Sequence, residues 1–236
     1  MNIKINTRVE KDLLGHKEIP AHCYYGVQTL RALENFNLSP NKLNQFPVFI
    51  NALAMVKAAC AAANFKLNKL EENKYNAIQY ACEQIINYKY HDQFPIDMIQ
   101  GGAGTSTNMN INEVLANIGL EHLDHLKGEY QYLHPNNDIN MSQSTNDVYP
   151  TAIKVGLIFA IEQLNSPFQN LIQSFKNKSD EFSHILKMGR TQLQDAVPMT
   201  LGQEFGAFAN TLQNDLNKLN DIMPSALSVV NLGGTA

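Results

Sequence analysis

The sequence is poor in arginine and cysteine and contains no tryptophan. The few arginines and the scattered lysines form no basic stripe, and the formal net charge is -4. Because proteins that grip a phosphate backbone present such a stripe, no nucleic-acid partner is expected. The three cysteines, Cys23, Cys60 and Cys82, fit neither a disulfide framework nor a zinc site. A reducing, cytoplasmic setting is therefore expected.

Long apolar runs are also missing. The start of the chain, "MNIKINTRVEKDLLG", has no apolar core of signal-peptide length, and the run from Ala58 to Ala63 is too short to cross a bilayer. We therefore expect neither export nor membrane insertion. The 236 residues with 44% apolar content predict a globular protein with a sizeable core.

Sustained period-two alternation is absent, so strands are expected only as short pairs within the first 45 residues, where "YYGVQTL" should lie extended. Apolar residues instead recur at helical spacing. The pattern predicts one helix stripe from Phe49 to Leu70, a second from Tyr75 to Ile85, and a third helix that starts close to Thr107, a good N-cap type. Lysines beside these stripes, such as Lys66, Lys69 and Lys74, are expected on a solvated face.

The second half predicts longer helices. One covers Ile153 to Leu164, a new one begins at Ser166-Pro167, and another runs from Leu201 to Leu219 with its end kinked or broken at Pro224. The fold class is therefore mainly α. A small N-terminal domain of short strands and helices, residues 1–140, should precede the start of a long helical bundle, residues 141–236.

The first of three donor-rich segments is "GGAGTSTNMNINEV", residues 101–114, which combines glycines, hydroxyls and amides at a predicted helix start. Such a start attracts anions. The segment lacks the Lys-Ser/Thr of a P-loop, and Thr107 stands at the last position of a dinucleotide fingerprint, where glycine or alanine is required. Nucleotide binding is disfavoured. In isolation the segment is explained by a glycine-rich turn with an N-cap.

The second segment, "NMSQSTNDVYP", residues 140–150, places Ser144, Thr145 and Asn146 just before a helix predicted to begin near Asp147. Its alternating oxygen side chains resemble a calcium loop, but the required glycine and closing glutamate are replaced by Gln143 and Tyr149. Calcium is not expected. An elaborate capping turn is an equal alternative to a binding role.

The third segment, "KMGRTQLQDAVPM", residues 187–199, lies between two predicted helices and carries Thr191 and Gln192. Alone it indicates a solvated loop. His134 in "HPNND" is more typical of a turn or packing histidine than of a ligand or base.

Together these runs are more specific. "GGAGTSTNMNINEVLAN", "SQSTNDVYPT" and "GRTQLQDAVPMTLGQEF", in that order, closely resemble the aspartase/fumarase superfamily, and within it the aspartases. "DLLG", "YYGVQTLRALENF" and "GEYQYLHPNND" resemble the connecting segments, so nearly the whole chain is covered. The resemblance implies a homotetramer around a helical bundle, with each active site built from three subunits.

The resemblance implies reversible deamination of L-aspartate to fumarate and ammonia. The residues that would bind the carboxylates and amino group of this small dicarboxylate substrate are Thr105, Ser144, Thr145, Asn146, Thr191 and Gln192. Neutral donors suit the task because they stabilise the dianion that develops on proton abstraction. No organic cofactor, nucleotide or metal ligand set is expected, although the resemblance implies stimulation by a divalent cation such as magnesium. The segment His134 to Asp138 resembles a second dicarboxylate site of fumarases.

One departure from the superfamily pattern concerns the general base. Family members take it from a serine in a glycine-serine-serine loop, with a lysine-bearing run beyond it, and neither occurs up to the final "NLGGTA". The chain thus resembles the N-terminal half of the enzyme, with no catalytic base of its own. Two alternatives stay open, a fumarase-like hydratase and a catalytically silent helical scaffold. Gln192 stands where fumarases carry histidine, and this favours ammonia over water as the leaving group.

Overall fold

The computed structural model describes residues 6–102 and 104–234, which are mostly helical, as predicted. Within them the chain forms two compact units. The first contains the described residues up to Gly156 together with 230–234, and the second contains Leu157–Val229. The predicted division into domains 1–140 and 141–236 stays a prediction for the complete protein.

The first unit begins with an antiparallel hairpin of β1 (Thr7–Asp12) and β2 (Gly15–Pro20). The expected extended run "YYGVQTL" is wrong in its second half, because helix α1 (Val27–Asn35) begins there. Two carboxylates account for this start. Glu113 accepts hydrogen bonds from the backbone N–H groups of residues 26, 28 and 29, and Glu10 accepts one from that of residue 27. These bonds satisfy donors that a helix start leaves unpaired.

Three helices build the core of this unit: α2 (Pro47–Lys66), α3 (Glu72–Ile86) and α4 (Thr105–His122). Their apolar stripes pack together, and side chains such as Leu53 and Ile78 are fully buried. The second and third stripes were predicted correctly. In the first stripe Ala63 and Leu67 are exposed, and the helix ends at Lys66, which leaves the buried Leu70 in the connection to α3.

Helix α2 is long and apolar enough to cross a membrane by length and composition alone, a feature that the sequence reading did not predict. Just over half of its apolar window is buried inside the first unit, 56%. Core helices of globular proteins pass the same test. Packing against α3 and α4 thus accounts for the apolar character of α2.

Helix α5 (Thr145–Glu181) is a single helix of 37 residues. The predicted new helix at Ser166-Pro167 is therefore wrong. The apolar residues on both sides of that pair share one period, from Leu164 through Phe168 to Leu171. A proline inside a helix costs about 3 kcal/mol, and the helix nevertheless continues through Pro167.

The second unit contains a hairpin where a solvated loop was expected. Strand β3 (Leu186–Thr191) pairs antiparallel with β4 (Gln194–Thr200), with an irregularity between Met188 and Arg190. Strands are thus not confined to the first 45 residues. Helix α6 (Leu201–Ile222) follows directly and is capped by Thr200, whose side chain accepts from the backbone N–H of Gln203.

Helix α6 ends close to the predicted position. It stops at Ile222 and continues into a π-helical turn, Met223–Leu227, that contains the proline expected to break it. Inside this unit, Phe175 of α5 packs tilted against Phe205 of α6 and edge-on against Phe208, with ring centroids 5.9 and 5.8 Å apart. The second unit therefore has its own aromatic contact between helices.

Candidate active site

The first donor-rich segment forms a tight entry into α4. Its N-cap is Gly104, with a φ of 85°, and the helix begins at Thr105. The helix thus starts close to Thr107, as predicted, but Thr107 is not its N-cap: Thr107 lies inside the first turn and is fully buried. Gln100 accepts from the Thr107 N–H at 2.9 Å and donates to its hydroxyl at 2.9 Å. Thr105 itself is exposed at the first helical position.

Gly104 also brings this segment against the start of α5. A Cβ atom added at Gly104 would lie 2.3 Å from Cδ2 of Tyr149, so only glycine permits the contact. The neighbouring Gly102, with a φ of 71°, faces open space apart from the Thr105 hydroxyl at 3.7 Å. Ala103 of the same run lies outside the described residues.

The second segment forms a turn that leads into α5. Ser144 occupies the cap position: its carbonyl accepts from the N–H groups of Asp147 and Val148, and its hydroxyl from that of Asn146 at 3.1 Å. The helix begins at Thr145, two residues before the predicted start. Ser144 thus caps the start of α5 with its carbonyl and hydroxyl oxygens as acceptors. The exposed side chain of Asn146 takes no part in this capping.

A cavity of about 320 Å³ lies where these two segments meet. Gly102 and Gly104 line it from the α4 entry, and Asn146 and Tyr149 line it from α5. The structure therefore brings the first and second predicted runs together inside one unit. Thr105 and Thr145 stand at the starts of the two helices that border this cavity.

A buried amide network lies behind Thr145. Nδ2 of Asn108 donates to the Thr145 hydroxyl at 3.0 Å and to Oδ1 of Asn140, also at 3.0 Å. The same Asn140 oxygen accepts from Nζ of Lys57 at 2.9 Å and from Nδ2 of Asn112 at 3.3 Å. These side chains connect the middle of α2 and the buried face of α4 with the second donor-rich segment.

Lys57 is the most unusual member of this network, because it is fully buried. Burial lowers its pKa to about 7, although the thiols of Cys60 and Cys82 oppose the shift. Besides Asn140, its amine donates to Oε1 of Gln143 at 2.8 Å. The sequence reading missed Lys57. The signal that could have found it is a lone charge inside an otherwise apolar helical stripe.

The third segment lies in the second unit. Thr191 pairs with Gln194, so the tip of the β3–β4 hairpin consists of Gln192 and Leu193. Both tip residues have positive φ, 50° and 63°, a conformation in which asparagine and glycine are usual. Thr191 and Gln192 are exposed, as expected for ligand contact or for solvation.

The "HPNND" segment forms a self-capped π-helical turn, Pro135–Ile139. Nδ1 of His134 accepts from the N–H groups of Asn136 and Asn137 at 3.0 and 3.2 Å, and burial lowers the pKa of the ring. His134 is thus a neutral turn residue, as predicted. Lys74 is not simply solvated, because its amine pairs with Asp138 at 2.9 Å. His134 and both asparagines also line a cavity of about 680 Å³.

Metal sites built wholly from protein side chains use several acidic, cysteine or histidine ligands. In the described part of the chain, 6–102 and 104–234, no group of three or more such side chains is arranged to hold a metal ion.

The mainly helical fold and the two donor-rich helix starts are those expected of a lyase of the aspartase/fumarase type. The sequence pattern of a family described as "Lyase" matches residues 15–236. The chain belongs to this lyase family, which confirms the resemblance to the aspartase/fumarase superfamily. Over 98% of the chain it is 60% identical to the aspartate ammonia-lyase of Pseudomonas aeruginosa, of which it covers 49%.

Solved structures agree with this assignment. The fumarate lyase:delta crystallin from Brucella melitensis matches with a TM-score of 0.90 and 54% identity, over 97% of this chain and 53% of that one. The class II fumarase from Schistosoma mansoni has a TM-score of 0.85 at 35% identity, over 98% and 48%. The chain spans about half the length of these relatives.

Proposed function

We propose that the complete protein, with the half its relatives possess beyond this chain, is a carbon-nitrogen lyase that converts L-aspartate reversibly to fumarate and ammonia. The observation that carries the proposal is the meeting of two helix starts, α4 and α5, beside a cavity to which Gln100, Asn146 and Tyr149 contribute polar side chains. The names and identities of the relatives support the choice of substrate. A homotetrameric, cytoplasmic enzyme is part of the same proposal.

In the proposed reaction a base removes a proton from the carbon beside the β-carboxylate, and negative charge builds on that carboxylate. The C–N bond then breaks and ammonia leaves with its electron pair. Thr105, Ser144, Thr145 and Asn146 would hold the substrate, joined in the assembled enzyme by Thr191 and Gln192. Fixed neutral donors strengthen their hydrogen bonds as charge develops, an effect of about 3–4 kcal/mol per donor in oxyanion holes. The base itself is expected outside these 236 residues.

The rival function is hydration of fumarate to malate, favoured by the structural likeness to a fumarase. Gln192 argues against it, since an amide cannot accept a proton from water near neutral pH. The lower identity to that fumarase, 35% against 60% for the aspartate ammonia-lyase, points the same way.

Both activities can be measured on one preparation of the complete protein. Fumarate release from L-aspartate is followed by absorbance, and malate formation from fumarate is measured in parallel. We expect aspartate-dependent fumarate release with little malate. Dominant malate formation would establish the hydratase, and a protein that neither turns over nor binds dicarboxylates would be the silent scaffold.

A further inference from the structure

We propose that Asn108 is a positioning residue that makes the hydroxyl of Thr145 a hydrogen-bond donor to the substrate. The inference deepens the proposed function and rests on it, because it concerns how one of the substrate-binding side chains is prepared. Asn108 is buried, with 2% of its surface exposed, and touches Thr145 without lining the cavity.

The argument begins at Asn140, whose amide has a fixed orientation. Its Nδ2 donates to the backbone carbonyl of Gln143 at 3.0 Å, and a backbone carbonyl can only accept. Oδ1 of Asn140 must therefore face the opposite way. There it accepts hydrogen bonds from the amine of Lys57 and from the side-chain amides of Asn108 and Asn112.

The orientation of Asn140 determines that of Asn108. Since Oδ1 of Asn140 accepts, Asn108 must present its NH₂ group to it, and the second hydrogen of that group points at Thr145. Turning the Asn108 amide over would bring two carbonyl oxygens together. The arrangement persists although it leaves Oδ1 of Asn108 buried without a partner among the described residues.

The last step is the polarity of the Thr145 hydroxyl. A hydroxyl carries one proton and can both donate and accept. One of its two lone pairs accepts the Asn108 hydrogen, and its own proton cannot point at that donor, so the proton is directed away from the Asn108 amide. Among residues 6–102 and 104–234 the hydroxyl donates to no recorded acceptor, which leaves the proton for a substrate carboxylate. Without Asn108, the direction of this proton is no longer fixed before the substrate binds.

A double-mutant cycle on the complete enzyme tests this. Thr145→Val keeps the branched shape and removes the hydroxyl, and turnover should fall roughly 100-fold, as for the loss of one oxyanion donor. Asn108→Ala should lower kcat by about tenfold or more. If Asn108 acts through Thr145, the double variant should match Thr145→Val alone, since coupled residues are not additive.

The matched control is Asn110→Ala. Asn110 is equally buried on α4, but its amide donates to the backbone of Gln93, away from Thr145. This variant should lose thermal stability and keep its kcat. A merely structural role of Asn108 would give the same result as this control, and it would overturn the proposal.

Asn108→Asp provides a second test that preserves side-chain shape. A carboxylate only accepts, so it should draw the Thr145 proton inward and lower kcat at least as much as alanine does. Normal turnover in the aspartate variant, or additive losses in the cycle, would contradict the proposal. Absence of aspartate deamination in the unmodified complete enzyme would instead overturn the proposed function, so the two failures are distinguishable.

Discussion

At the scale of single residues, the side chains at the start of α5 differ in what they contribute to folding. Asn146 is exposed and its side chain makes no recorded bond within the described chain, while Thr145 is half-buried and accepts one bond from Asn108. We expect Thr145→Ala and Asn146→Ala to lower kcat by about 10²–10³-fold in the complete enzyme, and stability by no more than about 1 kcal/mol. Kinetics and thermal melts on the same samples would check this. Loss of folding with normal turnover in the folded fraction would show that the residue only caps the helix.

Lys57 predicts a pH dependence of stability. In the folded protein burial lowers its pKa to about 7, from an ordinary value near 10.5. Between these values the unfolded chain binds the additional proton, so the contribution of Lys57 to stability rises with pH. Below pH 7 both states are protonated, and the full cost of burying the charge is present.

The measurement compares the complete enzyme with its Lys57→Met variant between pH 7 and 9. Burial raises the pKa of Cys60 and Cys82 and so opposes their ionisation in the folded state, and their titration in the unfolded chain is common to both proteins. We expect the unmodified protein to gain about 1–2 kcal/mol on the variant as pH rises. Lys66→Met, at an exposed lysine of the same helix, should show no such trend. A flat difference for Lys57→Met would mean that the buried amine does not titrate there.

At the scale of elements, the contact between the α4 entry and α5 depends on one glycine. Gly104→Ala should combine left-handed backbone strain, about 1–2 kcal/mol, with overlap against the Tyr149 ring, about 1–3 kcal/mol. Gly102→Ala is the matched control, since its φ is similar but its Cβ would meet open space. Denaturant unfolding of both variants would separate the two costs. Equal losses of stability would show that the ring simply moves aside.

Four of the helices could be predicted from the sequence, whereas helix α1, the continuity of α5 through Pro167 and the second hairpin could not. Helices α2, α3, α4 and α6 each carry an apolar stripe of their own, so a local pattern contains the signal. Strands β3 and β4 are mostly exposed and interrupted by an irregular pairing, and their tip lacks the asparagine or glycine that marks such turns. Backbone pairing, which leaves little trace in side-chain type, determines that hairpin.

The site shows the same division. Motif resemblance was enough to nominate the hydroxyls and amides at the helix starts. The hydrogen-bond network behind these residues could not be predicted from the sequence. Lys57 and Asn140 are 83 residues apart in the chain and meet only in the folded structure. Residues that act through others are therefore invisible until the fold is known.

At the scale of the whole molecule, residues 1–236 alone should show no lyase activity. The base is expected from the half that the relatives possess beyond this chain, and general-base catalysis supplies about two to four powers of ten in rate. In the second unit, apolar side chains including Leu157, Leu164 and Phe208 remain 43–47% exposed. Such surfaces promote association, so this chain should also self-associate or aggregate.

A fumarate-absorbance assay on the purified chain checks this, with a host that lacks its own aspartase and fumarases. Light scattering or gel filtration reports the association. Aspartate-dependent activity that copurifies with the chain and disappears in Thr145→Ala would place a base within these residues. The proposed mechanism would then be wrong.

The two-residue tip of the β3–β4 hairpin has a consequence for how this protein can diverge. Successive side chains of a strand alternate between faces, so one inserted residue reverses every side chain that follows it. Gln194 and Asp195 follow the tip and pair with Thr191 and Arg190, so a one-residue insertion there would change which way Gln194 and Asp195 point. Lineages can therefore exchange the chemical identity of residues 191–194, but we expect insertions and deletions to be filtered out there and to accumulate in connections that carry no paired strands.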